Sequence, residues 1–273
     1  MIVDAFTFLN EKELVELRIK YLNDLIDYFV IIEADVTHTG KPKNWNFPNI
    51  LNKELKEYSH KIQYHKMKLD LEKAEQEKSP NYVGGIRGRS WKAENMQRNY
   101  IKKACEKFSS NDIIIISDMD EIPSREKVSF IKSCDFKTIA PVAFDQSLFH
   151  LNCKYLNLER WIGSIVVTKE LIDKYEPQVF RDYKNRVSCF TNAGWSFSSF
   201  GGAKRVREKF EAFAHDEYNK NEYTNDDHIH KSAELGTDLF YRDIKKQKIS
   251  KDFFPKDLLE LMEENINFYF GSK

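Results

Sequence analysis

Four consecutive isoleucines at residues 113–116 restrict the fold of this chain more than any other feature. An unbroken β-branched run is typical of a strand covered on both faces, as in a parallel sheet between two layers of helices. The run continues through Ser117 into the acidic segment Asp118-Met119-Asp120. Apolar residues at helical spacing from Trp91 to Phe108 precede it, so the sequence predicts a helix, a buried strand and then a cluster of acids.

The amino-terminal part of the chain shows the same alternation of strand and helix. Residues 1–6 and 28–32 predict short buried strands, and apolar residues at helical spacing from Leu14 to Leu25 predict a helix between them. Residues 61–67 predict another strand. Elements in this order build an α/β fold of Rossmann-like type, with a central, mostly parallel mixed sheet flanked by helices.

The carboxy-terminal part predicts a more antiparallel organisation. Ser124 can cap a helix that runs to Ser133, and Thr224 can cap one that stops at Gly236. Strands are expected at residues 139–144, 147–155 and 164–168, a turn at 192–195 and a helix at 204–213.

The composition excludes several classes of protein. Lys plus Arg equals Asp plus Glu at 43 each, so the formal net charge of zero provides no general attraction to nucleic acid or anionic lipid. The four cysteines are widely spaced, which predicts reduced thiols rather than a zinc site or a disulfide scaffold. Because no leader or long apolar run is visible, we expect a cytoplasmic protein without a transmembrane segment, and a bacterial or viral origin is compatible with this.

The acidic segment lies where an α/β sheet binds its ligand. Ligands of open α/β sheets bind beyond the carboxyl ends of the strands, and Asp118 and Asp120 follow such an end. Carboxylate oxygens suit Mg²⁺ or Mn²⁺, which commonly use one or two protein carboxylates together with substrate phosphates. A cation in this position would neutralise a departing diphosphate, as transfer from a sugar nucleotide requires. We therefore predict a metal site formed by these two aspartates.

Five sequence blocks extend this interpretation over nearly the whole chain. They are Asp4-Ala5-Phe6-Thr7-Phe8-Leu9-Asn10-Glu11, Asp27-Tyr28-Phe29-Val30-Ile31-Ile32-Glu33-Ala34, Trp91-x-x-Glu94-x-x-x-Arg98, Asp118-Met119-Asp120-Glu121-Ile122-Pro123 and Asn192-Ala193-Gly194-Trp195. Together and in this order, they resemble glycosyltransferase family 17. Where many relatives have Gly-Trp-His, this chain has Gly194-Trp195-Ser196, which leaves the position of that histidine filled by serine.

The resemblance implies a fold and a reaction. The expected fold is a single GT-A-like domain over residues 1–273, in which 1–123 bind the nucleotide sugar and 124–273 bind the acceptor. The expected reaction is an inverting, metal-dependent transfer of N-acetylglucosamine from its UDP donor to a glycan hydroxyl.

The resemblance also implies roles for individual residues. Phe6, Asn10 and Glu33, at the ends of the first two strands, would face the nucleotide, as would Asp118. Arg98 would lie close to the diphosphate, although a helical Glu and Arg four residues apart can also form a simple surface ion pair. GT-A-like enzymes often complete the metal shell with a histidine near the carboxyl terminus, and His215 is the candidate here.

Candidates for the remaining catalytic roles stay open. The acceptor hydroxyl needs a base within hydrogen-bond reach, usually a carboxylate, and Asp145, Asp216 and Glu217 are all possible. Asp145, which follows a predicted strand, is slightly favoured. Trp195 lies between small residues in the expected acceptor loop and would stack on a sugar face, unless it belongs to the core.

Two other functions are compatible with the same acids. A nucleotidyltransferase would use a similar metal site, but it usually has a glycine-rich phosphate loop near its first strand, and residues 4–11 contain no glycine. A non-catalytic protein that binds carbohydrate or nucleotide sugar is the second alternative, and Ser196 in place of histidine supports it.

Overall fold

The computed structural model describes residues 1–76, 88–212 and 220–271, which are organised around one ten-stranded mixed sheet. The strands are β1 Ile2–Phe8, β2 Tyr28–Ala34, β3 Ile62–Met67, β4 Ile113–Ser117, β5 Glu121–Pro123, β6 Val142–His150, β7 Tyr155–Thr168, β8 Ser188–Phe190, β9 Gly194–Ser198 and β10 Lys246–Lys248. Their order across the sheet is β3-β2-β1-β4-β7-β6-β9-β5, with β10 paired to β7 and β8 paired to β6.

One side of the sheet is parallel, as the apolar runs predict. β1 pairs in parallel with β2 and β4, and β2 pairs in parallel with β3. The predicted β-strands at residues 1–6, 28–32, 61–67 and 113–116 are therefore confirmed within a few residues. The parallel arrangement places the carboxyl ends of β1, β2 and β4 at one edge, so the residues that follow them lie close together.

The other side of the sheet is largely antiparallel and differs from the prediction in detail. Two long strands, β6 and β7, replace the three predicted ones, and they pair antiparallel with register shifts near Asp145 and Ser147. Asp145 and its neighbours therefore interrupt the apolar pattern without ending the strand. Gly194 and Trp195, predicted as part of a turn, are the first two residues of β9, which pairs with both β5 and β6.

Helices cover both faces of the sheet. Ser124 caps its helix as predicted, by accepting a hydrogen bond from the Lys127 backbone N–H at 3.3 Å. The predicted cap at Thr224 is wrong: Asn225, one residue later, accepts the backbone hydrogen bonds, and the helix ends at the left-handed Gly236. The α-helices are α1 Lys12–Leu22, α2 Phe47–Asn52, α3 Leu71–Gln76, α4 Arg89–Ala104, α5 Arg125–Ser133, α6 Lys169–Lys174, α7 Pro177–Tyr183, α8 Gly202–Ala212, α9 Asn221–Thr224, α10 Asp226–Leu235, α11 Lys256–Glu263 and α12 Ile266–Phe270.

Two apolar clusters, one on each face, hold the helices to the sheet. Helices α1, α5, α11 and α12 pack on one face and α3, α4, α6 and α7 on the other, so the expected α/β fold with a helix-flanked mixed sheet is confirmed. All four cysteines are free thiols. None of the helices in the described ranges combines the length and the apolar character that crossing a membrane requires.

Candidate active site

A cavity of about 530 Å³ opens at the carboxyl ends of β1, β2 and β4. Its volume lies within the range of small-ligand sites, roughly 300–1,000 Å³. Helices α4, α7 and α8 and strands β6, β7 and β9 complete the wall. The cavity therefore occupies the position at which open α/β sheets bind ligands, and it is bounded by both the parallel and the antiparallel side of the sheet.

A buried arginine holds the backbone of the acidic segment. Arg18 of α1 donates from Nη1 to the carbonyl oxygens of Asp118 at 3.2 Å, Met119 at 3.3 Å and Glu121 at 2.6 Å. Its Nε and Nη2 donate to both carboxylate oxygens of Asp4 at 2.7 and 2.6 Å. Both side chains of this pair are fully buried, so the turn after β4 is anchored from the side of the core.

The Asp118 side chain points toward the cavity and is held by two arginines. Arg98 of α4 donates to Oδ1 at 2.7 Å, and Arg181 of α7 donates to Oδ2 at 2.6 Å. Burial alone would raise the pKa of Asp118, but Arg181 and Arg98 outweigh it and hold that pKa well below its usual range. Asp118 is therefore a stable carboxylate whose two oxygens are both engaged.

Each of these arginines has a second carboxylate partner, Glu94 on the cavity wall for Arg98 and the buried Glu121 for Arg181. Arg98 donates to Glu94 at 2.6 Å, and Arg181 makes two hydrogen bonds to Glu121, at 2.7 and 3.0 Å. Glu121 is fully buried and also accepts the Asp118 backbone N–H at 3.0 Å. Positive and negative groups thus alternate along a continuous chain from α4 to α7.

Asp120 faces the cavity in a different environment. Its Oδ2 accepts a hydrogen bond from the Lys209 ammonium of α8 at 2.9 Å, and its side chain is 17% exposed. Burial raises its pKa, the Asp118 charge adds to this rise, and Lys209 opposes it. Within residues 1–76, 88–212 and 220–271, Asp120 therefore has a single lysine partner where Asp118 has two arginines.

The two aspartates differ in their fitness to bind a cation. Among the described residues there is no cluster of three or more His, Cys, Asp or Glu side chains that could hold a metal. Asp118 would have to leave two arginines to become a ligand, whereas Asp120 would have to leave one lysine at one oxygen. This arrangement fits a cation held by one protein carboxylate and by ligand phosphates, and it does not fit a clamp made by both aspartates.

Three residues expected to face the nucleotide lie away from the cavity wall. Phe6 is buried in the core, with the Arg18 guanidinium 4.5 Å above its ring. Glu33 is buried and accepts the Phe47 backbone N–H at 3.2 Å, at the start of α2. Asn10 lies in the turn after β1, where its backbone N–H donates to a carboxylate oxygen of Glu11. The cavity lies beyond the carboxyl end of β1, so the last two residues of the strand, Thr7 and Phe8, and Glu11 after it line the cavity instead.

Trp195 and Asp145 also differ from their expected positions. Trp195 is 7% exposed, and its ring lies 6.0 Å from that of Tyr21, within the core cluster. Its neighbour Ser196 lines the cavity because side chains on β9 alternate between the two faces. Asp145 accepts a hydrogen bond from Arg160 Nε at 2.9 Å, and that arginine lines the cavity.

A comparison with known families identifies the family of this chain. Residues 1–259 match Glycosyltransferase family 17. The chain belongs to this family. The predicted resemblance is thereby confirmed.

Curated relatives match part of this family 17 chain. Beta-1,4-mannosyl-glycoprotein 4-beta-N-acetylglucosaminyltransferase is 30% identical over 148 residues in Rattus norvegicus and in Homo sapiens, which is 52% of this chain and 25% of each relative. The matched segment thus covers about a quarter of the length of these relatives. Among solved structures, a proposed glucose-1-phosphate thymidylyltransferase from Bacillus anthracis, in complex with sucrose, aligns with 72% of this chain and 87% of its own at 12% identity and a TM-score of 0.38.

Several cavity residues of the family 17 chain were not predicted. His215, Asp216 and Glu217 lie outside the described residues. Among the described residues that line the cavity are Arg181, Lys184 and Lys209, none of which belongs to a recognised sequence block. Their partners are far away in sequence, and no local pattern marks them.

Proposed function

We propose that the protein is a metal-dependent inverting glycosyltransferase that transfers N-acetylglucosamine from UDP-N-acetylglucosamine to a hydroxyl group of a glycan. Membership of family 17 supports the reaction class. The name of the curated relatives supports N-acetylglucosamine as the transferred sugar. A cavity at the strand ends, with a size suited to a small ligand, supports a bound donor.

The observation that supports this proposal most is the position of Asp120. Its carboxylate lies on the cavity wall at the end of β4, beside cationic side chains from three separate elements. Donor diphosphate would lie against Arg98, Arg181 and Lys209, whose charges complement its own. Mn²⁺ or Mg²⁺ bound between Asp120 and the phosphates would act as a Lewis acid and stabilise the leaving diphosphate.

Inverting transfer also needs a base for the acceptor hydroxyl. Of the candidate acids within the described residues, Asp145 reaches the cavity edge only through Arg160, while Glu11 and Asp182 line the cavity directly. Proton transfer requires hydrogen-bond reach, about 2.6–3.2 Å between heavy atoms. We therefore include Glu11 and Asp182 beside Asp145 as candidate bases in the proposal.

The experiment measures the thermal stability of the protein with Mn²⁺ and a panel of sugar nucleotides, together with the release of UDP. We expect UDP and UDP-N-acetylglucosamine to raise the melting temperature only when metal is present, and Asp120→Ala to lose this shift. Asp257→Ala is the matched control, because Asp257 is 55% exposed on α11 and lies outside the cavity wall. The proposal fails if no nucleotide raises the melting temperature of the wild-type protein in the presence of metal.

Turnover separates catalysis from binding alone. UDP release that depends on a glycan acceptor would support the transferase. Stabilisation by UDP-N-acetylglucosamine without UDP release in the presence of any glycan of an acceptor panel would favour the non-catalytic alternative, in agreement with Ser196 at the histidine position.

A further inference from the structure

Lys184 occupies an unusual position on the cavity wall. It begins the 3₁₀ turn Lys184–Arg186, directly after α7, and its side chain is half-buried. The ammonium lies 5.0 Å from the centre of the Trp161 ring on β7. Contact with an aromatic face restricts where a lysine ammonium can lie and removes part of its water shell.

The described residues around Lys184 supply no direct counter-ion. Throughout residues 1–76, 88–212 and 220–271, no carboxylate lies within ion-pair distance of its ammonium. The acids that act on it electrostatically, Glu121 and Asp118, are already bonded to Arg181. Because a partly buried cation without a bonded anion is unfavourable, this part of the wall is suited to an anion that arrives with a ligand.

A neighbouring hydrogen-bond donor also indicates a site for an anionic ligand. The Trp161 indole N–H is buried and has no hydrogen-bond acceptor within the described residues. Buried polar groups in proteins are nearly always hydrogen-bonded, so an unpaired donor at a cavity wall requires an explanation. Two adjacent side chains on this wall thus offer hydrogen-bond donors that find no acceptor in the described part of the chain.

The pKa of Lys184 is consistent with the lack of a bonded carboxylate among the described residues. Burial, followed by repulsion from Arg181, lowers the pKa of Lys184 to about 8, while Glu121 and Asp118 offset only part of the effect. Near neutral pH the side chain is therefore mostly protonated, and a bound anion would favour the charged form further.

We propose that Lys184 is an anion-binding residue that contacts the diphosphate of the nucleotide-sugar donor, with Trp161 forming the wall against which its ammonium is held. This inference rests on the proposed function, because it takes the donor as the ligand of the cavity. It adds a residue from the carboxy-terminal half of the chain to the donor site. An ammonium at this position stabilises negative charge on the diphosphate as the sugar leaves.

The test measures the binding of UDP, UMP and uridine by isothermal titration calorimetry in the presence of Mn²⁺. We expect Lys184→Gln to weaken UDP binding by about tenfold or more and to leave uridine binding unchanged, because only the phosphates contact the lysine. Lys184→Arg keeps the positive charge and should retain most of the affinity. Lys174→Gln is the matched control, since Lys174 on α6 pairs with Glu170 at the surface.

Each outcome separates this inference from the proposed function. If the wild-type protein does not bind UDP, the proposed function fails. If the wild-type protein binds UDP and Lys184→Gln binds it equally well, only the inference about Lys184 is overturned. Equal weakening of UDP and uridine binding would also overturn it, because the loss would then reflect the shape of the cavity rather than phosphate contact. A selective loss of phosphate-dependent affinity, restored by arginine, supports it.

Discussion

Two arginine–aspartate clusters hold the turn after β4 from opposite sides, and they differ in their access to water. On the side of the core, Arg18 and Asp4 have no exposed surface. On the side of the cavity, Asp118 is 34% exposed, although Arg98 and Arg181 are almost fully buried. The arginine–aspartate cluster on the core side is thus sealed from water, whereas the cluster on the cavity side is open to a ligand.

This difference separates a structural contact from one that can change during function. Removing one member of a sealed pair leaves a charge without water or partner, which is strongly destabilising. In the open cluster each arginine keeps a second carboxylate, Glu94 or Glu121, if Asp118 is lost. Arg18 therefore fixes the backbone of the turn, while the cavity cluster sets the position and charge of its side chains.

The largest effect is expected for Arg18→Met. It leaves Asp4 buried without a partner and frees three carbonyl oxygens of the turn, so we expect the free energy of unfolding to fall by about 3–5 kcal/mol. Urea unfolding followed by circular dichroism measures this change. Lys20→Met, two residues further along α1, is the control: its ion pair with Glu264 is exposed, so its loss should cost no more than about 1 kcal/mol.

A double variant tests the cause of this loss. Asp4→Asn combined with Arg18→Met removes the uncompensated charge, and we expect it to be more stable than Arg18→Met alone. If Arg18→Met were no less stable than Lys20→Met, the sealed cluster would not anchor the turn.

An intermediate effect is expected for Asp118→Asn. Asparagine has no negative charge to accept the hydrogen bonds of Arg98 and Arg181. The free energy of unfolding should therefore fall by about 1–3 kcal/mol, which is less than for Arg18→Met. Binding of UDP with Mn²⁺ should weaken as well, because Arg98 and Arg181 are no longer held in place across the cavity wall. Urea unfolding and calorimetric titration measure the two effects.

A surface pair provides the reference for that variant. Asp24 pairs with Arg125 and is 54% exposed, so Asp24→Asn should change both quantities only slightly. A loss of stability for Asp118→Asn as large as that of Arg18→Met would remove the distinction between the sealed and the open cluster.

The parallel side of the sheet was easier to predict from sequence than the antiparallel side. The isoleucine run of β4 is apolar throughout because both faces of the strand are covered, and its short length and β-branched side chains favour a strand over a helix. In β6, Asp145 interrupts the apolar pattern, but the strand continues through a register shift. Trp195 looked like a loop residue because glycine precedes it, although pairing of β9 with distant strands places it in the core.

Of the cavity residues, only those that belong to local sequence patterns were predicted. Asp118, Asp120 and Arg98 belong to short sequence blocks, and all three line the cavity. Arg181 and Lys184 carry no such signal, since their neighbours in the structure lie some tens of residues away. Arg18 was detectable in principle: it is four residues after Leu14, on the apolar stripe of an amphipathic helix, where a charged side chain needs a buried partner.

The smallest expected effect is a dependence of UDP affinity on pH, which distinguishes Lys184 from the arginines of the cavity cluster. The pKa of Lys184 is lowered to about 8, and a bound diphosphate favours the protonated form, so UDP affinity should fall as pH rises through 8. The loss should reach about tenfold between about pH 7 and pH 9. Arg98 and Arg181 stay charged over this range, because guanidinium groups do not titrate there, so they contribute no slope.

Substitution at the same position identifies the titrating group. Lys184→Arg should bind UDP with nearly constant affinity across this interval, and Lys184→Gln should bind it weakly at every pH. Isothermal titration calorimetry in matched buffers measures both. A wild-type slope that persists in Lys184→Arg would assign the titration to another group, and the cavity would then differ from the sealed cluster only in the exposure of Asp118.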